Sequence, residues 1–471
     1  MVAMRFNKWR YYVGVGIICF CLAQSVEAWQ SHFLLTASSV ANMPEIDRQP
    51  TVPAETLTEF LEAESEGLVS LLKDIDSWPH QVSSFPPLPS LLTFKGRKDT
   101  QRSLLQQFTD RARIHPQGVS DMHYDTLFVE YGPNAAHRIH NPLQLKDVVL
   151  ASIIKEIPIA NPPLEKVNPG ELVSPYEIIT SAVDEPDFGM DINLFEDNHT
   201  DFGENYKLGN TPGFINKDLI IGTQAPFHIG WYHENAWIKR FGPDITKMYP
   251  EYRIHFFVTL SQYAFKTGHL YWGYRFLGWA IHYQQDLSQP YHAKLVPGMS
   301  AMELLVANQE KVKNRVTNLH FALENYQYNL MRRALTEFNI NNNSSNPFLI
   351  ALADRSSDNS KIHYNDLYPR NTVAQEAYDD ADTLDDSLIN VFGKTADDIA
   401  NSNDGVNQSA VILNFGSIDF DLYSKINQDD PEVQTLNQKL VTLFRSVGSH
   451  TRKIILYATD QRNWPDKMMS I

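Results

Sequence analysis

The stretch from Tyr271 to His292 reads YWGYRFLGWAIHYQQDLSQPYH, and its reading decides the fold. Tyr271, Trp272, Tyr274, Phe276, Leu277, Trp279 and Ile281 make a helix apolar enough to lie inside the molecule. An aromatic stripe at this spacing belongs to a core, so Trp272 and Trp279 are expected to pack rather than to bind a substrate. His282 and Asp286 stand i, i+4 and share one helix face. Pro290 is expected to stop the helix and leave His292 in the turn beyond. Burying an imidazole and a carboxylate here is costly unless something pairs with both, and a metal ion would.

Working outward, helical periodicity recurs over about 252–267, 271–286, 302–337, 373–392 and 433–458. The last of these is expected to pack back onto the helices that carry His282 and Asp286. Upstream, Leu57, Phe60, Leu61, Leu68, Leu71 and Leu72 mark an amphipathic helix over 54–78. Tyr176 to Val183 reads as a short helix ending at Asp184-Glu-Pro-Asp187. Residues 157–175 are proline-rich and irregular, and 188–226, rich in Gly, Asn and Asp, read as a long ordered loop. Asn341 to Asn343 with Ser344 and Ser345 suggest a surface excursion over about 338–362. Val411 to Tyr423 alternates weakly, but nothing in 338–471 has regular strand spacing, and no internal repeat is present. The fold expected is all-α: one helical domain over 29–471 with long loops and an insert over about 36–180.

Hydrophobic residues make up 43% of the 471 and aromatic ones 11%, enough for a real core. The net charge of −16 suits neither general nucleic-acid binding nor loose adhesion to anionic membranes, although bound cations could supply local positive charge. Residues 1–28 read as a signal peptide: Arg5, Lys8 and Arg10, an apolar run from Val13 to Ala23 too short to span a bilayer, then Val26-Glu-Ala28. The expectation is a secreted protein, periplasmic or extracellular, whose mature chain begins at Trp29. Cys19 and Cys21 both fall in the leader, preceded by Ile18 and Phe20 rather than the small residue of a lipoprotein site. A mature chain without cysteine must hold any metal with His, carboxylate and backbone groups, and the free amine and carbonyl of Trp29 are such groups.

A second i, i+4 pair, His320 and Glu324, follows the first. Either pair alone is an ordinary helix-surface hydrogen bond; together, with His292 between them, they form a cluster. The segment His282-Tyr-Gln-Gln-Asp286-Leu-Ser-Gln-Pro-Tyr-His292-Ala resembles the H-Y-x-G-D-x-x-Q-P-x-H signature of bacterial zinc-dependent phospholipases C and fungal zinc single-strand nucleases. That resemblance implies an all-helical fold holding three zinc ions, one of them through a mature N-terminal Trp. Carried over in chain order, the ligands are Trp29, His32, Asp184, His228, His282, Asp286, His292, His320 and Glu324. By the resemblance Asp184, His228, His282 and Asp286 hold one zinc, and Trp29, His32 and a bridging Asp286 a second. His292, His320 and Glu324 hold the third. Asp184 would also accept a proton from the attacking water. Asp187 is the alternative to Asp184, and His233 to His228.

Three departures stand out. Gln285 occupies the glycine position of the signature, a change that is tolerable if its side chain points to solvent. Trp29 and His32 lie closer together than in most relatives, and the insert before Asp184 is long. His80, His115, His255, His269 and His450 are expected to be ordinary surface or core hydrogen-bonding residues.

The resemblance also bears on substrate. His320-x-x-x-Glu324 followed by Asn325-Tyr326 resembles the phospholipase pattern, where the nucleases usually carry Asp. Asp184-Glu-Pro-Asp-Phe-Gly-Met-Asp191 resembles the phosphatidylcholine-type phospholipases C of Gram-negative bacteria. The expected activity is cleavage of phosphatidylcholine-type phospholipid, at a membrane surface, to diacylglycerol and phosphocholine. The alternatives are a zinc-dependent single-strand nuclease and a secreted zinc-stabilised binding protein without turnover. Phe188, Phe227, Trp231 and Tyr232 are the aromatics expected to touch a choline or a base.

Overall fold

The computed structural model describes residues 31–41, 43–78, 88, 90–113, 124–133, 139–144, 147–148, 162–188, 190, 225–241, 248–307, 309–341, 345–358, 363–401 and 421–464. Trp29 and the expected signal peptide, His80, His115 and most of the 188–226 loop lie outside them. The described chain is mostly helical with few strands. Its helices are α1 (His32–Val40), α2 (Pro44–Asp47), α3 (Leu57–Ser77), α4 (Leu104–Arg113), α5 (Pro175–Ala182), α6 (Ala225–His228), α7 (Ala236–Phe241) and α8 (Pro250–Thr267). There follow α9 (Leu270–Leu287), α10 (Pro290–Ala293), α11 (Ala301–Val306), α12 (Gln309–Asn341), α13 (Pro347–Ala353), α14 (Ala374–Asn401) and α15 (Pro431–Thr459).

α9 is the axis of the molecule. Every residue from Tyr271 to Leu287 is buried, as a helix apolar on all sides requires. α8, α5 and α15 pack around it. Trp272 and Trp279 lie in the core, ring against ring with Phe276. Gly268, at φ +90°, ends α8 and turns the chain back into α9. Gly278 lets α9 approach α5 closely: a Cβ there would meet the Ala182 methyl at 2.5 Å and the Ile179 carbonyl at 3.0 Å. One buried cation sits on this axis, Arg275, gripped through two bonds of 2.8 and 2.9 Å by the carboxylate of Glu185.

The helix ends follow local chemistry. Thr56 with Glu59 and Ser174 with Glu177 form reciprocal capping boxes at the starts of α3 and α5. Pro290 does not leave His292 in an open turn. Gln289 caps a new helix with Pro290 in its first turn, and His292 lies within it as part of α10.

Two further expectations are corrected. The insert contains small antiparallel sheets: β1 (Val52–Pro53) pairs with β5 (Leu172–Val173), and β2 (Leu127–Glu130), β4 (Leu164–Val167) and β3 (Pro142–Leu143) form a sheet in that order. The proline-rich 157–175 stretch thus supplies two strands, each too short for its alternation to show. The excursion expected over 338–362 carries α13, capped by Asn346 and burying Phe348, Leu349, Ala351 and Leu352 against α15 and α1. Among the described residues no helix is long and apolar enough to cross a membrane.

Candidate metal centre

α1, the η-turn Glu185–Phe188, α6 and α9 converge on one buried group of His32, Asp187, His228, His282 and Asp286. The Asp286 carboxylate stands at its middle. Its Oδ1 faces His32 Nε2 at 3.3 Å, while Oδ2 faces His228 Nδ1 at 2.6 Å and His282 Nε2 at 3.4 Å. Asp187 closes the group: Oδ1 lies 3.5 Å from His282 Nε2 and 3.9 Å from His228 Nδ1, and Oδ2 lies 3.8 Å from His32 Nε2.

Backbone carbonyls set the histidine tautomers, since a carbonyl can only accept. His282 Nδ1 donates to the Val183 carbonyl at 2.7 Å, leaving Nε2 as a lone pair aimed into the group. Gly278, one turn earlier on α9, lies against Ile179 and Ala182 of α5, the helix that Val183 ends. His292 Nδ1 likewise donates to the His228 carbonyl at 2.9 Å.

α10 and α12 build a second group from His292, His320 and Glu324, with His320 Nε2 2.7 Å from Glu324 Oε1. Tyr291 stacks flat on His320, centroids 5.5 Å apart, and is itself anchored through a 2.7 Å bond to the buried Asp385, which Arg315 pairs. The ring that orients His320 is therefore tied down from α14.

The two groups share a diagnostic feature. His32 Nε2, both Asp286 oxygens, His292 Nε2, His320 Nε2 and Glu324 Oε1 are buried, yet none meets a partner at a hydrogen-bonding angle. Buried nitrogens and oxygens this close together without well-angled hydrogen bonds are stabilised by a cation among them, so these buried His, Asp and Glu groups could hold metal ions. The protonation states fit the same use. Burial, reinforced by the neighbouring His32, holds His282 well below the usual imidazole range, and burial with His320 beside it does the same for His292. Neutral imidazole is the form that ligates. Against its burial, Asp286 is held well below the usual carboxylate range by the facing His282 and His228.

Asp184 lies at the start of α1. Its Oδ1 accepts the backbone N–H groups of His32 and Phe33 at 2.7 and 3.0 Å, while Ser31 accepts that of Leu34. Together they satisfy the first turn of α1, where the helix dipole favours an anion. Asp184 thus stands beside the first group with one oxygen committed to holding the backbone of His32, and Asp187 is the carboxylate grouped with His228 and His282. His228 lies in the group; His233 lies outside it, with Nε2 bonded to the Arg370 carbonyl at 2.7 Å.

The aromatic expectation is corrected. Phe188, Phe227, Trp231 and Tyr232 are all buried. Arg253 covers the Phe227 ring at 4.5 Å and Arg370 covers that of Tyr232 at 4.5 Å, while the Trp231 indole N–H donates to the Tyr291 carbonyl. They pack the ligand-bearing segments rather than face outward. Among the remaining histidines, His255 stacks on Trp78, His269 bonds Glu55, and His450 lies between Tyr368 and Glu376.

Gln285 does not meet the condition of pointing to solvent. It is 2% exposed, not solvent-facing, and its Oε1 lies 3.0 Å from His32 Nδ1. A usable signal was present: on a helix apolar all round, a glutamine has no solvent to reach.

Compared with protein-family models, with curated proteins and with solved structures, the chain matches none.

Proposed function

We propose that this chain is a secreted zinc metallohydrolase of the phospholipase C type, cleaving phosphatidylcholine-type phospholipid to diacylglycerol and phosphocholine. The observation that carries the reading is Asp286, whose two oxygens face different histidines. That is the disposition a carboxylate needs to bridge two cations. In this reading Asp187, His228, His282 and Asp286 hold one zinc, and His32 with Asp286 and the Trp29 terminus a second. His292, His320 and Glu324 hold the third. The donor set, nitrogen and carboxylate oxygen without sulfur, is one that zinc accepts.

Zinc bound here would lower the pKa of a coordinated water towards neutrality and draw charge from the phosphoryl oxygens. The protein's own part is positional. Val183 and His228 carbonyls accept from Nδ1 of His282 and His292 and so hold their Nε2 lone pairs inward. Asp184 holds the start of α1, and with it His32. In this reading Asp187, the least enclosed of the first group with its side chain 11% exposed, would accept a proton from the water attacking phosphorus.

Glu324 where the related nucleases usually carry Asp, together with the acidic balance, supports lipid over nucleic acid. The test is one preparation assayed two ways, for phosphocholine release from phosphatidylcholine vesicles and for cleavage of single-stranded DNA, with zinc counted by elemental analysis. Phosphocholine release abolished by chelation and restored by zinc is expected. DNA cleavage alone would assign the nuclease instead, and a zinc-replete protein inert on both would assign a binding protein.

A further inference from the structure

The side-chain amide of Gln285 joins three helices at one point. On α9 itself, its Oε1 lies 3.0 Å from His32 Nδ1 of α1. Its Nε2 donates to Thr36 Oγ1 of α1 at 2.9 Å and to Thr451 Oγ1 of α15 at 3.0 Å. Thr36 is one turn from His32, so the amide grips α1 twice on the same face. In this arrangement the amide nitrogen faces the two hydroxyls and the oxygen faces the imidazole.

That orientation fixes the ring. With Oε1 against Nδ1, the proton sits on Nδ1, and Nε2 presents a lone pair to Asp286 Oδ1 at 3.3 Å and Asp187 Oδ2 at 3.8 Å. A lone pair facing two carboxylates is repulsive with nothing between them and favourable around a cation. Were the amide turned over, its N–H would force the proton onto Nε2, and the ring could no longer ligate. His282 and His292 have their tautomers set by main-chain carbonyls, but His32 has a side chain for this purpose. Its ligand form therefore depends on residue identity at 285.

We propose that Gln285 is a positioning residue: through its Thr36 and Thr451 bonds it holds His32 in the Nδ1–H tautomer, and so sets the affinity of the ion shared by His32 and Asp286. This rests on the reading of that group as a zinc site. Where the phospholipase signature has glycine, this chain has put the orienting group on α9 and braced it from α15.

The test uses the secreted chain, with zinc as the probe. Zinc retention is titrated against a graded chelator in wild type, Gln285→Leu, Gln285→Glu and Thr451→Val, and the His32 tautomer is read from imidazole nitrogen shifts in ¹⁵N-histidine-labelled protein. Gln285→Leu is expected to weaken one ion by about 10- to 100-fold, the range for loss of a ligand's orienting partner, while the others hold. In the chelated protein, where no ion dictates the tautomer, His32 should lose its Nδ1–H signature. Gln285→Glu keeps an acceptor at Nδ1 and should restore both readouts, and Thr451→Val should weaken the same ion by a smaller factor. Unchanged affinity and tautomer in Gln285→Leu would overturn the proposal, as would equal weakening by Leu and Glu, which would make the residue mere packing. Should Gln285→Leu fail to fold, wild-type affinity in Thr451→Val overturns it instead. A wild-type protein that binds no zinc fails the underlying metal reading, an outcome distinct from all of these.

Discussion

At the scale of single residues, two carboxylates three positions apart have opposite expected phenotypes. Asp187→Asn removes a charge from the group of His228 and His282 and is expected to lower zinc content and activity together. Asp184→Asn keeps an oxygen that can accept the His32 and Phe33 N–H groups, since Asn caps helices as well as Asp, and should keep its zinc. Zinc analysis of the two variants side by side decides between them, and zinc loss in Asp184→Asn would restore it as a ligand. Asp286→Asn should be the most damaging change. It removes the charge that faces His32 on one side and His228 with His282 on the other, so zinc loss should exceed one ion and activity should fall at least ~10²-fold. Glu324→Gln should release only the ion of the His292 group. These positions differ in how far sequence reveals them. His282, Asp286, His320 and Glu324 are legible because i, i+4 spacing on a helix fixes which side chains meet. Asp184 and Asp187 sit at a helix end, where one residue of turn decides which carboxylate faces inward and which takes the backbone.

At the scale of helices, the joint between α5 and α9 is the one to probe. Gly278→Ala places a methyl 2.5 Å from the Ala182 methyl, and neither backbone can yield without moving its helix. The expected cost is about 1–3 kcal/mol in denaturant unfolding, the range for overpacking a well-filled core. Zinc should be lost as well, because separating the helices breaks the His282 bond to the Val183 carbonyl. Retained zinc at reduced stability would mean that the joint does not position the site. The long helices α3, α8, α9, α12, α14 and α15 are legible from apolar periodicity sustained over many turns. The strands are not, because two to four residues carry too little alternation to be read, and β1 and β3 each contain a proline. α13 is hidden for a different reason: its apolar run Phe348 to Leu352 sits behind a run of Asn and Ser that looks like a loop, although Asn346 caps the helix.

At the scale of the whole molecule, His282 and His292 couple stability to pH. Both are held below their ordinary pKa when folded, so the unfolded chain binds more protons than the folded one once pH drops below roughly 6.5. Stability is therefore lost as pH falls through that value towards the folded pKa, by up to about 1.4 kcal/mol per pH unit for each histidine. Urea unfolding of chelated protein between pH 8 and about 5 should show the decline, and a flat profile would mean that the imidazoles are not buried in the neutral form. Adding zinc should raise the melting temperature, by a free energy of about 2.7 kcal/mol per ion at one hundred times its dissociation constant.

The bond from Gln285 to Thr451 also has a consequence for how the chain acquires its shape. It makes a histidine near the start of the described chain depend on a helix that is synthesised more than four hundred residues later. Contacts so distant in sequence are slow to form, since the chain must close a very large loop before they reward it. A nascent chain cut before α15 can build the α8–α9 hairpin, whose contacts are local, but not the brace beneath His32. Competence should then arrive late and all at once, after the whole chain has emerged, rather than accrue along the way. Under the proposed reading of an exported hydrolase, that interval would be protective, because the site about His32 would be completed only once α15 docks.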